Sequence, residues 1–165
     1  MGLESAAYLY CLGTSEENRW LHARLDGTGV NLAPSLPDDF EYIAGAAWSI
    51  SRSQTPGLYY LSATIPSIQT GIVYLDGRIT DGTVGLAPST EGGFTGTRWE
   101  ILSPFLDPRL YALKCMGTDV GNFSLGYLAG YTQDGTIGLV VNPIPAYQYS
   151  GTVWKILQTV SDVFD

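Results

Sequence analysis

Short apolar runs, broken by glycine, proline and polar turns, recur along this chain in the same order three times. Each set opens on a tyrosine-rich apolar run: Tyr8-Leu9-Tyr10-Cys11-Leu12, then Leu58-Tyr59-Tyr60-Leu61, then Leu110-Tyr111-Ala112-Leu113-Lys114-Cys115. A second run starts at an aromatic followed by leucine, at Trp20, Tyr74 and Tyr127. Next comes Asp-Gly-Thr, at Asp26, Asp81 and Asp134. Aspartate and glycine both tolerate the backbone of a tight turn, so this signal between apolar runs predicts a hairpin. In the first set it arrives one residue early, which predicts a different turn there. The third run is Val30-Asn31-Leu32, Val84-Gly85-Leu86 and Ile137-Gly138-Leu139. Its apolar residues are two apart and so share one face of a strand. The fourth run centres on Trp48, Trp99 and Trp154, each followed two residues later by isoleucine. The opening aromatic and the later leucine are 12 residues apart in every set, and successive tryptophans are 51 and 55 apart.

No stretch of ten residues or more carries a helical period. The pattern therefore predicts four short strands in each of three repeats, spanning about 8–52, 58–103 and 110–158. A single four-stranded unit cannot bury its apolar face alone. Three such units around an axis can close into a six-stranded barrel capped by three hairpins. The expected fold is all-β, a β-trefoil, as one domain over residues 1–165. A three-bladed propeller is the rival, but propellers usually need four blades or more. The recurring leucines and Trp48, Trp99 and Trp154 are the expected core. Trp20 breaks its tyrosine column and is expected to be partly exposed. The loop Pro34–Phe40 is expected to be exposed, and the tail from Thr159 to Asp165 to pair with the N-terminus or fray.

Hydrophobic residues make up 45% of the 165 positions, enough for a packed core. Sixteen acidic and eight basic side chains leave a formal charge of −8. That balance argues against nucleic acid and against an anionic membrane surface, which need lysine and arginine. It permits a neutral partner such as a glycan, or a basic one. No stretch approaches 18 apolar residues, so no membrane insertion is expected. The N-terminus lacks the basic-then-apolar order of a signal peptide. A cytoplasmic location is the simpler expectation, although a mature secreted chain would read the same. Cys11 and Cys115 are the two cysteines. They read as small buried side chains, with a disulfide between them left open.

The order of signals resembles the ricin-B-type β-trefoil lectins over about residues 8–157. Those repeats carry an aromatic or cysteine with Leu-Asp, a Gly-Thr-x-Val-x-Leu strand and a Gln-x-Trp motif. Tyr74-Leu75-Asp76, Gly82-Thr83-Val84-Gly85-Leu86 and Thr97-Arg98-Trp99 occupy those places. The glutamine is missing from all three repeats, where Ala46, Thr97 and Thr152 stand. No counterpart of the family's sugar-stacking aromatic follows Leu86.

The resemblance implies that Asp76 accepts hydrogen bonds from sugar hydroxyls, a task suited to a carboxylate. Its counterparts are His22 and Ala129. Read without the resemblance, Asp76-Gly77 is a turn. Arg24 and Arg78 recur in register and read as partners of a nearby acid or loop carbonyl. Asp81 and Asp134 read as turn formers. The candidate ligand-binding set is Asp76, Arg78, Asp81, His22 and Trp20. Tyr42, Tyr147 and Tyr149 lie in loops where a binding surface could form.

Catalysis is poorly supported. One histidine cannot build a His-rich metal site, and nothing beside either cysteine reads as an activated nucleophile. Glu16-Glu17 and Asp38-Asp39 read as solvated loop acids rather than an acid–base pair. The expected function is non-enzymatic glycan recognition without a cofactor, with a homodimer as a possible assembly. The alternative is a trefoil that inhibits a protease or binds another protein through the loops 34–40 and 143–149.

Overall fold

The computed structural model describes residues 7–13, 18–24, 27–34, 45–65, 71–78, 81–91, 95–117, 126–141 and 150–157. The expected loops 35–40 and 143–149, the tail from 159, Tyr42 and the acidic pairs at 16–17 and 38–39 lie outside these residues. Twelve strands lie among the described residues. In the first repeat they are β1 (Tyr8–Cys11), β2 (Trp20–Ala23), β3 (Val30–Ala33) and β4 (Trp48–Arg52). In the second they are β5 (Tyr59–Thr64), β6 (Ile72–Arg78), β7 (Thr83–Ala87) and β8 (Arg98–Leu102). In the third they are β9 (Ala112–Cys115), β10 (Tyr127–Tyr131), β11 (Thr136–Val140) and β12 (Trp154–Leu157).

Six strands close into a barrel. Between repeats, β4 pairs with β5, β8 with β9, and β12 with β1, all antiparallel. Within each repeat the first and fourth strands meet beside the tryptophan, at Ala7↔Trp48, Tyr59↔Trp99 and Tyr111↔Trp154. Closure removes the exposed strand edges that an open sheet would leave. The hairpins β2–β3, β6–β7 and β10–β11 cap the barrel. This is the β-trefoil that the triplicated pattern predicts.

Strand limits differ from the sequence reading where pairing extends them. β5 runs on to Thr64 instead of stopping at Leu61, because it pairs with β4, β6 and β8 together. Leu58 and Leu110 fall in turns, where their N–H groups donate to Thr55 O and Asp107 O.

The core repeats with the sequence. Trp48, Trp99, Trp154, Leu21, Leu75 and Leu128 are all fully buried. They are also bonded in pairs: each tryptophan Nε1–H donates to a leucine carbonyl 3.0 Å away, Trp48 to Leu21, Trp99 to Leu75 and Trp154 to Leu128. A buried indole N–H without a partner would cost about 1–3 kcal/mol, so these bonds let a large apolar side chain sit at the centre. Trp20 is half-buried, as expected. Cys11 and Cys115 are buried thiols with no disulfide between them. Burial pushes the Cys11 thiol up to about 12.

The turns confirm the early signal in the first repeat. Gly82 N–H donates to Arg78 O and Gly135 N–H to Tyr131 O, four residues back. Gly27 N–H donates to Arg24 O, only three back.

Candidate functional site

Strand β6 alternates inward and outward. Val73, Leu75 and Gly77 are buried, whereas Tyr74 and Asp76 are half-buried and Arg78 is exposed. The outward set thus shares one face, with neighbours about 7 Å apart along the strand. Across the hairpin, Tyr74 faces Ala87, Asp76 faces Gly85 and Arg78 faces Thr83.

Gly85 matters because a Cβ placed on it would meet nothing within 4 Å. Among the described residues, the surface beside Asp76 is therefore open at its floor. Behind Asp76 stands Gly96, on which a Cβ would come 2.7 Å from Asp76 Oδ1. The carboxylate is thus backed by the 3₁₀ turn Thr95–Thr97. Tyr74 packs edge-on against Tyr60, with ring centroids 6.0 Å apart.

Asp81 closes the same hairpin. Its Oδ1 accepts the Thr83 hydroxyl at 2.7 Å and the Thr83 N–H at 3.0 Å. Asp134 repeats this with the Thr136 hydroxyl at 2.7 Å and N–H at 2.9 Å. The Thr83 hydroxyl, then its amide, holds the Asp81 carboxyl below its ordinary range. For Asp134 the Thr136 amide leads and the hydroxyl follows. A lowered pKa means that each turn gains from its carboxylate above the ordinary range and loses that gain as pH falls through the lowered value. Amide resonances of Thr83 and Thr136, followed through an acid titration, should shift with midpoints below about 3.9. A midpoint at or above that value would remove the account of these turns.

His22 and Trp20 lie on the other hairpin, β2–β3. His22 faces Asn31, and its Nε2 is 2.9 Å from where a Cβ on Gly45 would stand. Trp20 packs edge-on against Tyr10 at 4.8 Å, and the Arg19 guanidinium lies 5.3 Å over the Tyr10 ring. The structure thus divides the five candidate residues. Asp76, Arg78 and Asp81 share one hairpin; His22 and Trp20 hold the equivalent places of Asp76 and Tyr74 in another repeat.

The sequence reading missed Tyr74 and Gly85 as parts of this surface. A glycine at mid-strand, at Gly85, was the available signal, since glycine in a strand marks a bulge or a close approach. Two residues before each core tryptophan, where the lectin motif has glutamine, Ala46, Thr97 and Thr152 are buried. Among the described residues no cluster of three or more His, Cys, Asp or Glu could hold a metal, and no helix is long and apolar enough to cross a membrane.

A scan against protein-family models finds no match, and a search of curated proteins finds none either. Solved structures do match. SeviL bound to asialo-GM1 saccharide is similar over 93% of this chain and 97% of that one, at 16% identity and a TM-score of 0.61. The GlcNAcα1-4Gal releasing endo-β-galactosidase from Clostridium perfringens matches over 92% of this chain and 32% of that one, at 13% identity and a TM-score of 0.56. The Haemophilus ducreyi cytolethal distending toxin matches over 92% and 84%, at 11% identity and a TM-score of 0.58. These likenesses are of fold alone, and that fold is the β-trefoil.

Proposed function

We propose that this chain is a lectin-like, non-enzymatic carbohydrate-binding protein whose site lies on the β6–β7 hairpin. One observation carries the reading: Asp76 faces Gly85 across the hairpin, and among the described residues, chain neighbours aside, no atom lies within 4 Å of a Cβ on Gly85. A carboxylate has about four acceptor positions, so contacts that hold it in place still leave capacity for ligand hydroxyls. Tyr74, on the same face, offers a ring against which the C–H face of a pyranose can stack. Arg78 supplies donors at the exposed end. Support from outside the chain is the trefoil SeviL, solved with a saccharide bound.

The test is a glycan array followed by calorimetry on the best binder. Asp76→Ala should weaken binding about 10- to 100-fold, the range for a hydrogen bond to a charged group. Asp134→Ala, the exposed turn acid of the third repeat, should leave affinity within about twofold of the parent under the same arithmetic. Undiminished binding by Asp76→Ala would move the site elsewhere.

The protein-binding alternative gains one observation of its own, on a loop the sequence reading did not select. Leu106 is fully exposed at the tip of the β8–β9 loop. That loop is braced: Ser103 Oγ donates to Leu110 O at 3.1 Å, and Arg109 grips both oxygens of Asp107 at 3.0 Å. If this loop enters a protease, endopeptidases that accept leucine should be inhibited, and Leu106→Asp should abolish the inhibition. A panel of such enzymes working at full rate would end this reading.

A further inference from the structure

We infer that the β2–β3 hairpin of the first repeat is a second saccharide site, built on the plan of the β6–β7 site but suited to an acidic sugar. For the class of ligand this rests on the glycan reading above.

Strand β2 repeats the alternation of β6 position for position. Leu21 and Ala23 are buried, Trp20 and His22 are half-buried, and Arg24, the next outward residue, is exposed. On β6 the same three outward positions hold Tyr74, Asp76 and Arg78. The polar atoms at the centre are placed alike. His22 Nε2 lies 2.9 Å from where a Cβ on Gly45 would stand, as Asp76 Oδ1 lies 2.7 Å from one on Gly96. Each leading aromatic meets a tyrosine edge-on, Trp20 against Tyr10 at 4.8 Å and Tyr74 against Tyr60 at 6.0 Å. The third repeat leaves the plan: its outward positions hold Tyr127, Ala129 and Tyr131, and Ala129 is 1% exposed with no polar side-chain atom.

One exchange inverts the chemistry. A carboxylate only accepts hydrogen bonds, whereas an imidazolium only donates them. Below the ordinary imidazole pKa of about 6.5, His22 and Arg24 put two cationic donors on one face. The saccharide group that such donors recognise is a carboxylate, as in a sialic or uronic acid. The Trp20 indole offers the stacking surface that Tyr74 offers in the other site.

The groups around His22 agree with this. Among the described residues, the charged side chains nearest this face are Arg24 on its own strand and Arg19, whose guanidinium lies over the Tyr10 ring. Across the hairpin stands the neutral Asn31, and behind the imidazole stands Gly45. Asn31 Oδ1 is buried and accepts no hydrogen bond among the described residues. Protonation gives His22 a second N–H, a donor of the kind that this acceptor lacks. The chain's formal charge of −8 opposes an anion at long range. Screening beyond about 8 Å at physiological salt leaves the local cations to decide.

The test is an array of matched glycan pairs, each with and without a terminal sialic or uronic acid, read at pH about 5.5 and about 7.5. Acidic members should bind at the lower pH and lose about tenfold by the higher one. That is the ratio of imidazolium populations for a group titrating near 6.5, and the sugar carboxylate stays ionised throughout. His22 is the chain's one histidine, so His22→Gln should remove the pH dependence along with most of the acidic binding. Arg24 is exposed, so Arg24→Gln should keep the parent's melting temperature and weaken acidic glycans about tenfold at both pH values. Several results would overturn this inference and leave the glycan reading standing: neutral glycans bound but no acidic one, acidic glycans bound equally at both pH values, a pH dependence that survives His22→Gln, or unchanged binding by Arg24→Gln. Acidic glycans bound through His22 with every neutral one ignored would instead sink the β6–β7 site and keep this one. No glycan binding by the unmodified chain would overturn both.

Discussion

Gly96→Ala is expected to destabilise the protein by about 3 kcal/mol or more, the upper range of overpacking in a rigid interior. The reason is contact with backbone, which cannot swing aside as a side chain can. A Cβ on Gly96 would be driven into the Gly77 carbonyl oxygen. The same collision awaits Gly151 against Gly130 O, and Gly45 against Ala23 O. In each repeat the chain before the core tryptophan is laid directly on the second strand, and only glycine permits that approach. The 3₁₀ turns Thr95–Thr97 and Ser150–Thr152 sit at this crossing. Thermal unfolding measures the effect. For a chain of this size, about 3 kcal/mol corresponds to a fall of about 6–12 °C. Gly29→Ala is the control, because a Cβ there meets nothing within 4 Å and its φ is ordinary. If Gly96→Ala melts within about 2 °C of the parent, the close approach is not a constraint.

The sequence foretells the trefoil because its evidence is periodic. Trp48, Trp99 and Trp154 recur with leucines at fixed distances, and apolar side chains at fixed distances must converge when three units close. Their pairing is local to each repeat: the indole of Trp99 bonds the carbonyl of Leu75 in the same unit. Asp81 and Asp134 are equally legible, since Asp-Gly-Thr carries its own hydrogen bonds. The candidate site is legible only in part. Asp76 stands out by its motif, but its opposite number Gly85 does not. What surrounds Gly85 is a matter of how the hairpins pack, and no local pattern records that. Gly96 escaped for a related reason: its contact with Gly77 joins backbone to backbone and leaves no apolar signature. The first-repeat turn shows the middle case: its shifted signal predicts a different turn, and Gly27 N–H donates three residues back, to Arg24 O, where Gly82 and Gly135 donate four back.

Gly77→Ala should be rescued by Cys115→Ala, although the second change alone opens a cavity. A Cβ on Gly77 would stand 2.9 Å from Cys115 Sγ and 3.2 Å from Cys115 Cβ. In turn the thiol of Cys115 lies 3.5 Å from Gly77 O and 3.3 Å from Gly96 O, packed between the two glycines. The same trio recurs one repeat on, where a Cβ on Gly130 would stand 2.8 Å from Cys11 Sγ, and that thiol lies 3.3 Å from Gly151 O. At the remaining junction the chain holds different residues. The place of Gly77 and Gly130 is taken by Ala23, and that of Cys11 and Cys115 by Ala63, which faces Trp48 as Cys115 faces Trp99. Both alanines are buried in the same core. Glycine with cysteine, twice, and alanine with alanine, once, are two fillings of one volume. Gly77→Ala alone should cost about 1–3 kcal/mol by overpacking. Cys115→Ala alone should cost about 1 kcal/mol through the void it leaves. Combined, they recreate the first junction's filling and should cost less than Gly77→Ala alone, a coupling of about 1–2 kcal/mol. Chemical denaturation of the parent, both single variants and the double variant gives the cycle. Additivity within about 0.5 kcal/mol would mean that the two positions do not share a space, and the pseudo-symmetric trade between them would have no energetic content.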